Sequence, residues 1–405
     1  MNDSIPLSLP DITDEEVREV VHTLRSGRLS QGPRTEEFER FVALRAGRPH
    51  AIAVSSGTAG LHLALAALGI GPGDEVITPA FSFVASASPV LYVGAKPVFV
   101  DCDPRTLNMG AEDAEKKITE KTKAIIGVEV FGNPAGMPQL SALSNKYEIP
   151  LIEDACEGLG GRLGRDPIGG FGRLAVFGFY PNKQITTGEG GMIVTHDDHL
   201  ADLCRSLRNH GRATAPRAGE EAPSEALGRR LDHERLGFNF RLNEMSAALG
   251  AVQMRRLDEL LEARQRVAET YTRRLLGNTD LIVPTVERDT FMSWFVFVVR
   301  LSEQFSEYDR DTIITGLRRH DVGAAAYFTP IPMLPPYRRL FGFTPGDFPV
   351  AEWVSQRTIA LPFFTRLTER EIGLVCQTLE IMIKRQTFSR RAGALPERRA
   401  DAGEA

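Results

Sequence analysis

One lysine stands between two apolar segments that have the character of strands. Lys183 follows the run 174–179 and precedes a glycine-rich turn at 188–191, with few other charges around it. Lysine side chains are nearly always solvated surface groups. An amine that is held away from water, however, gives up its proton more readily and can form a Schiff base with a carbonyl compound. Lys183 is therefore the candidate nucleophile of this chain.

A carboxylate ends another short apolar run. Asp154 closes the strand-like segment 150–153, and the carboxyl ends of parallel strands are where α/β folds bind ligands. At such a position a carboxylate can hold a pyridine nitrogen in its protonated form, which makes the ring an electron sink. An aspartate here is by itself more often a helix cap or a loop residue, and this alternative stays open.

A third element joins a strand to a helix through small residues. Ser56, Gly57 and Thr58 lie between the strand-like run 51–54 and the helical stretch 59–68. A helix N-terminus offers unpaired N–H groups and the positive end of a dipole, so this turn can bind a phosphate. Many α/β proteins make the same turn without a ligand. The segment is neither a GxxxxGK[ST] loop nor a GxGxxG dinucleotide fingerprint.

Two further polar segments are less specific. Asn239 precedes a long helical pattern, where it either reaches a phosphate or caps the helix. The run 196–199 contains two histidines and two aspartates after a predicted strand. It has the residue types of a metal site, but a solvated turn is the favoured interpretation, and we expect no metal.

The composition limits the classes of function. The chain has 405 residues, of which 42% are hydrophobic and 25% charged, and a net charge of -5. This is an ordinary globular mixture, large enough for one large and one small domain. It provides no basic face for nucleic acid and no apolar run of about 18 residues that would span a membrane. Four separated cysteines and no apolar signal core lead us to expect a cytoplasmic protein without a disulfide framework.

Apolar runs alternate with helical stretches from about residue 49 to residue 195. The strand candidates are 51–54, 75–78, 97–100, 124–128, 150–153, 174–179 and 191–195. Most are continuously apolar, which is typical of strands buried on both faces. The pattern predicts an α/β fold with a mostly parallel central sheet flanked by helices.

The remaining chain predicts a second, smaller unit. A long helical pattern at 243–276 connects a large domain, residues 1–250 including an N-terminal arm, to an α+β domain at residues 251–385. That domain mixes a strand at 294–299 with helices at 311–320 and 369–384. Residues 213–228 are predicted to be a mobile loop, and residues 386–405 a disordered tail.

Together these elements resemble the DegT/DnrJ/EryC1/StrS family of sugar aminotransferases, which have fold type I of the pyridoxal-phosphate enzymes. The resemblance extends from about residue 5 to residue 383. Its most specific part is the run 179–191 around Lys183. Its other landmarks are 30–33, 56–59, 81–85, 153–155 and 209–212.

The resemblance implies pyridoxal 5'-phosphate as cofactor and a role for each candidate residue. Lys183 would form the Schiff base and later move the proton, and Asp154 would pair with the pyridine nitrogen. The cofactor-binding set also includes residues for the phosphate, the ring face and the ring edge: Ser56, Gly57 and Thr58, then Phe83, then Glu157. Asn239 would contact the phosphate from the partner subunit of a homodimer, which would also contribute residues 26–33.

The activity that the resemblance implies is transfer of an amino group, with glutamate as donor, to a keto-sugar such as a nucleotide-linked 3- or 4-keto-6-deoxysugar. Two alternatives stay open: a keto-inositol substrate of aminoglycoside biosynthesis, and a pyridoxamine-phosphate-dependent sugar dehydratase. Dehydratases of this family carry His in place of the lysine. Two alternatives lie outside the aminotransferase activity. A nicotinamide-dependent oxidoreductase is disfavoured because the sequence has no GxGxxG motif. A non-catalytic sensor is disfavoured because it would not need both Lys183 and Asp154.

The sequence departs from the family pattern at three positions. Gly178 stands where many relatives carry a serine that binds the phosphate. Glu157 stands where many have Gln or His, although relatives resembling perosamine synthases also carry Glu. Pro332 ends a substrate-side stretch, 327–332, that often ends in His. Phosphate binding and substrate recognition are therefore expected to differ in detail.

Overall fold

A computed structural model describes residues 4–213 and 233–393 of the chain. The strands of this part are His50–Val54 (β1), Glu75–Pro79 (β2), Lys96–Val100 (β3), Thr122–Val128 (β4), Leu151–Asp154 (β5), Arg162–Leu163 (β6), Asp166–Pro167 (β7), Leu174–Gly178 (β8), Gly191–Thr195 (β9), Leu281–Ile282 (β10), Thr290–Phe291 (β11), Phe297–Leu301 (β12) and Thr358–Leu361 (β13). They form three sheets. The largest has seven strands in the order β1-β9-β8-β5-β4-β2-β3.

The central sheet is mostly parallel, as predicted. Strands β3, β2, β4, β5 and β8 run parallel to one another. Strand β9 is antiparallel to both of its neighbours, β1 and β8. The carboxyl ends of β5 and β8 therefore meet at one edge of the sheet, which brings the residues that follow them together.

Helices cover the sheet on both faces. The α-helices of the described residues are Asp14–Arg25 (α1), Pro33–Ala46 (α2), Gly57–Ala67 (α3), Ser88–Tyr92 (α4), Ala111–Glu115 (α5), Met137–Tyr147 (α6), Asp198–Leu207 (α7), Glu244–Arg255 (α8), Leu257–Leu275 (α9), Glu307–Arg319 (α10), Pro335–Phe341 (α11), Pro349–Ser355 (α12) and Glu369–Gly393 (α13), the last four in the C-terminal part. Alternate residues of β1 enter different apolar clusters. Ile52 and Val54 pack with α3 and α7, whereas Ala51 and Ala53 pack with α2 and α8. This is why these strands are continuously apolar.

The segment 243–276, which connects the large and small parts of the chain, contains two helices, α8 and α9. The prediction of one uninterrupted helical pattern is therefore wrong in the middle of this segment. The backbone of Arg256, at φ -95° and ψ 2°, lies outside the helical region between α8 and α9. Its guanidinium donates to Glu16 Oε1 at 2.7 Å and to Asp11 Oδ1 at 3.2 Å. These bonds to the N-terminal segment hold the arginine at the break. The apolar repeat continues across it, so the sequence pattern does not reveal the interruption.

The C-terminal part has its own small sheet, β10-β12-β13, packed with α10 and α13. The N-terminal arm reaches it, since Ile5 pairs with Val322 and Phe363 N–H donates to Leu7 O at 2.9 Å. The domain boundary at 250/251 stays a prediction.

The predicted loop and the predicted tail fall partly outside the residues that the structure describes. Residues 386–393, predicted as part of the tail, belong to α13, where the Thr387 hydroxyl donates to Ile383 O at 3.1 Å. Residues 394–405, and residues 214–228 of the predicted loop, lie outside the described residues. No helix within 4–213 and 233–393 is long and apolar enough to cross a bilayer. The cytoplasmic location stays a prediction.

Candidate active site

A cavity of about 590 Å³ opens where β5 and β8 end and α3 begins. Seven of the eight candidate residues line it: Ser56, Gly57, Thr58, Phe83, Asp154, Glu157 and Lys183. Asn239 does not line it. Residues that are far apart in the chain meet here because parallel strands present their carboxyl ends at the same edge.

Lys183 lies in the connection between β8 and β9, with its side chain 14% exposed. Its amine is 3.5 Å from Glu157 Oε1 and 4.2 Å from the centre of the Phe295 ring. Its backbone is fixed at both ends: the N–H donates to Tyr180 O at 2.9 Å, and the carbonyl accepts Arg264 Nη2 at 2.7 Å. The amine is thus held inside the cavity by a rigid backbone.

Asp154 is the last residue of β5 and is buried. Its Oδ2 accepts the Ser86 hydroxyl at 2.7 Å, and its Oδ1 accepts the Cys156 N–H at 3.3 Å. The Ser86 hydroxyl in turn lies 2.8 Å from that of Ser82. This network orients the carboxylate at the cavity wall, where it can meet a cationic ring nitrogen. It is not a helix cap in this structure.

The turn at 56–58 has the geometry of a phosphate site. Ser56 is the N-cap of α3: its hydroxyl accepts Ala59 N–H at 3.1 Å, and its carbonyl accepts Gly60 N–H at 3.0 Å. The preceding N–H groups, of Gly57 and Thr58, belong to residues that line the cavity. They lie in the first turn, where a helix has no internal acceptors for them. They are the donors that a phosphate requires.

Gly57 is required by close packing. A Cβ at this position would lie 2.5 Å from Cys156 Sγ, well inside van der Waals contact. A Cβ at Gly178 would lie 3.3 Å from the same sulfur. The thiol of Cys156 therefore occupies space behind the turn that larger residues at 57 and 178 would need, which gives a packing reason for Gly at position 178.

Glu157 follows the Asp154 loop and is buried beside the lysine. Its Oε2 accepts the Phe131 N–H at 2.8 Å. Burial raises the pKa of the Glu157 carboxyl, while the Lys183 ammonium and the Phe131 N–H act in the opposite direction. The carboxyl can therefore hold or release a proton next to the amine.

Aromatic side chains form the open wall of the cavity. Phe83 is 56% exposed, and its ring centre lies 6.3 Å from that of Phe328. Tyr327 stacks on Phe328 with centres 4.9 Å apart. An exposed ring at the mouth of a cavity is suited to cover the face of a planar ligand. Pro332, three residues beyond the lining residue Thr329, is buried and does not line the cavity.

Asn239 is exposed on the surface and pairs through its backbone with Asn209. The alternative that it caps the following helix is wrong, because Asn243 does so by accepting Ser246 N–H at 2.9 Å. Only residues within a turn of the helix start can reach those N–H groups. Asn239 is therefore free of a capping role.

The histidine and aspartate run at 196–199 is a helix start. Asp197 caps α7 by accepting Leu200 N–H at 3.0 Å and pairs with Arg173 at 2.8 Å. His50 lies 2.5 Å from Asp198. Throughout residues 4–213 and 233–393 no group of three or more metal-binding side chains is present.

Several lining residues lie outside the predicted cofactor-binding set, although the resemblance points to Gly178 and to the stretches 81–85, 179–191 and 327–332. These lining residues are Ser82, Ala85, Val128, Cys156, Gly178, Phe179, Tyr180, Asn182, Glu189, Gly190, Phe295, Ala326, Tyr327, Phe328 and Thr329. Phe295 and Ala326 come from the C-terminal part, and no local pattern marks them as site residues. Residues 327–329 belong to the stretch that resembles a substrate-side segment, so the resemblance does point to them. Cys156 and Asn182 lie next to or near predicted site residues in the sequence, so their positions within these motifs could have identified them as lining residues.

The donor set fits pyridoxal 5'-phosphate. One cavity combines an amine for the aldehyde, a carboxylate for the ring nitrogen, helix N–H groups for the phosphate and an exposed aromatic ring for the ring face. Gly57 lets the turn pack against Cys156, which a side chain at this position would prevent. The fold and this site define a fold type I pyridoxal-phosphate enzyme.

Comparison with known proteins identifies the family. Residues 10–380 match the model of the DegT/DnrJ/EryC1/StrS aminotransferase family, and the chain belongs to this family. It is 35% identical to the spore coat polysaccharide biosynthesis protein SpsC of Bacillus subtilis, over 95% of this chain and 98% of the relative. It is 33% identical to GDP-perosamine synthase of Vibrio cholerae, over 93% and 98% of the two chains.

A solved structure agrees in fold. The putative sugar aminotransferase Spr1654 of Streptococcus pneumoniae, in its PMP form, superposes with a TM-score of 0.88 at 29% identity, covering 96% of this chain and 100% of that one. The predicted family, fold class and cofactor are confirmed. The protein is a pyridoxal-phosphate-dependent aminotransferase of a family that acts on sugars.

Proposed function

We propose that this enzyme transfers an amino group from glutamate to a keto-sugar through a Schiff base at Lys183. The substrate we favour is a nucleotide-linked 3- or 4-keto-6-deoxysugar. The observation that carries the proposal is that the Lys183 amine, the Asp154 carboxylate and the start of α3 line one cavity. The relative named GDP-perosamine synthase supports a nucleotide-linked substrate.

Each residue of the cavity has a defined task in this reaction. Pyridoxal phosphate supplies an aldehyde and an electron-withdrawing ring. Lys183 would bind the aldehyde group through its amine and, when that amine is free, would move a proton to or from the reacting carbon. Asp154, oriented by Ser86, would keep the ring nitrogen protonated. Gly57 and Thr58 would hold the phosphate through their N–H groups.

The open side of the cavity suits a polyol. Its lining includes the aromatic residues Phe83, Tyr327 and Phe328 and the hydroxyl-bearing residue Thr329. Aromatic faces pack against the C–H surfaces of sugar rings, and hydroxyl groups pair with hydroxyl groups. Among the described lining residues there is no arginine to clamp a carboxylate. This favours a neutral sugar ring as the part bound by one protomer.

The cavity of one protomer has less positive charge than its anionic ligands need, and a homodimer with shared sites would provide the rest. The charged residues of the described lining are Asp154, Glu157, Glu189 and Lys183. A phosphate dianion and the carboxylates of glutamate need more cations than one lysine provides. We propose that a second subunit supplies them and that its Asn239, exposed in the single chain, contacts the phosphate.

Substitution of Lys183 tests the proposed chemistry. The Lys183→Ala variant is expected to lose transfer from glutamate to every ketone of a panel that contains nucleotide keto-deoxysugars and keto-inositols. Lys146→Ala, at an exposed lysine of α6, serves as the control and keeps full transfer. Product masses separate amination from loss of a hydroxyl, which a dehydratase would cause. Full transfer by Lys183→Ala would overturn the proposal.

Complementation tests the shared site. Lys183→Ala and Asn239→Ala subunits are inactive or weakened as separate homodimers, but a mixed dimer contains one site with both native residues. After subunit exchange at equal amounts, half of the dimers are mixed and half of their sites are intact, so about a quarter of native activity is expected. If Asn239 served its own subunit's cavity, mixing would restore nothing.

A further inference from the structure

A buried carboxyl group faces the reactive amine. Glu157 Oε1 lies 3.5 Å from Lys183 Nζ, and the two side chains are 8% and 14% exposed. The other oxygen, Oε2, is held by the Phe131 N–H at 2.8 Å. The loop that carries Glu157 is fixed as well, because Gln184 Nε2 donates to the Glu157 carbonyl at 2.6 Å. The carboxyl is thus aimed at the amine by contacts that do not involve a ligand.

The other contacts of the amine cannot take a proton from it. The Phe295 ring, 4.2 Å away, stabilises the ammonium form as a cation–π partner. Arg264 binds the lysine carbonyl but is itself a cation. Within the described parts of the chain, Glu157 is the hydrogen-bond acceptor that the ammonium contacts. An amine attacks an aldehyde only through a free electron pair. A nearby base that removes the proton of the ammonium group therefore produces the reactive amine.

We propose that Glu157 is the base that takes this proton, an inference that rests on the proposed role of Lys183. In this step the ammonium and the carboxylate become a neutral amine and a carboxylic acid. The electron pair of Nζ then forms a bond to the aldehyde carbon of pyridoxal phosphate. The aldehyde oxygen leaves as water with the two remaining amine hydrogens. When an amino donor displaces the lysine, Glu157 keeps its proton, so that Nζ leaves as a free amine able to take the proton of the reacting carbon.

The surroundings of Glu157 support a proton store. Burial raises the pKa of its carboxyl, and Asp154 acts in the same direction. A raised pKa reduces the difference in proton affinity between an acid and an amine, so the proton passes between them at a smaller free-energy cost. The other titratable or charged groups that face the pair are Cys156 on the same loop, Tyr327 on the segment 326–329, and Arg264 on α9.

The test is the pH dependence of cofactor attachment. Full-length protein stripped of cofactor is mixed with pyridoxal phosphate, and the visible absorbance band is followed from pH 6 to pH 9. We expect Glu157→Gln, which keeps an oxygen for the Phe131 N–H, to attach cofactor roughly 10²-fold more slowly at pH 7. Its rate should rise about tenfold per pH unit, since hydroxide is then the base. Added formate or acetate should restore part of the rate.

The controls separate this role from others. Glu157→Asp keeps a carboxylate and is expected to keep the native pH profile at a reduced rate. Glu112→Gln removes an exposed carboxylate of α5 that does not line the cavity, and its profile should match the native one. A Glu157→Gln rate lowered by the same factor at all pH values, with no carboxylate rescue, would show a cofactor contact only and overturn the proposal. Absence of the band in native protein would instead contradict the role of Lys183.

Discussion

The Gly57→Ala substitution tests the phosphate turn through one added methyl group. The new Cβ would lie 2.5 Å from Cys156 Sγ and 3.6 Å from Gly178 Cα. The sulfur is half-buried and donates to the Val176 carbonyl at 3.5 Å, a contact that opposes its retreat. We therefore expect the turn to move away from its native position, and the Gly57 N–H to move with it.

The magnitude follows from the bond that is lost. A hydrogen bond to a charged group contributes about 1.5–3 kcal/mol, and each 1.4 kcal/mol changes a dissociation constant about tenfold. The dissociation constant for pyridoxal phosphate is thus expected to rise roughly 10- to 150-fold. Titration of stripped enzyme with cofactor, followed by absorbance, measures it. Gly71→Ala, where the nearest atom to a Cβ is 3.8 Å away, should leave it unchanged.

A second substitution identifies the cause. Cys156→Ala removes the sulfur that the new methyl group meets, so the double variant Gly57→Ala/Cys156→Ala should recover most of the lost affinity. Native affinity in the Gly57→Ala protein would refute the reasoning about the turn. Weak affinity that the double variant does not recover would show that the sulfur is not the obstacle.

Three further outcomes follow from the structure. Asp154→Asn keeps an acceptor for Ser86 but removes the charge, and we expect single-turnover amine transfer to fall roughly 10²- to 10³-fold. Glu129 is fully buried beside Glu153, and burial raises the pKa of its carboxyl well above the usual value. The folded protein then keeps a proton that the unfolded chain loses, so stability falls as pH rises. In denaturant titrations, the free energy of unfolding of Glu129→Gln should therefore rise relative to that of the native protein. The expected rise is up to about 1.4 kcal/mol for each pH unit above the usual glutamate pKa. Arg264→Met should lower stability by about 1–3 kcal/mol in the same titrations, because the Lys183 carbonyl loses its donor.

Much of the central sheet could be predicted because its strands are continuously apolar. The run 174–179 is an example: β8 occupies 174–178, and its side chains enter clusters on both faces. The helix break at Arg256 could not be predicted, since it depends on long-range bonds to Glu16 and Asp11. Local patterns report periodicity, whereas such tertiary contacts have no sequence signal of their own.

The difference between local patterns and tertiary contacts also explains which site residues could be predicted. Asp154 ends β5 and Lys183 follows β8 of the same sheet, so their meeting is a consequence of parallel topology. Phe295, under the Lys183 amine, comes from the C-terminal part and is brought there by the packing of two regions. The Glu157–Lys183 contact also required the structure, because the motif places both residues near the cofactor but does not say which groups touch.

Reductive trapping measures the central claim most directly. Purified enzyme loaded with pyridoxal phosphate is treated with borohydride, digested, and analysed by mass spectrometry. We predict that the visible band disappears and that one peptide, containing Lys183, carries the reduced pyridoxyl phosphate group on that side chain. A label on a different lysine, or no covalent label at all, would contradict the account.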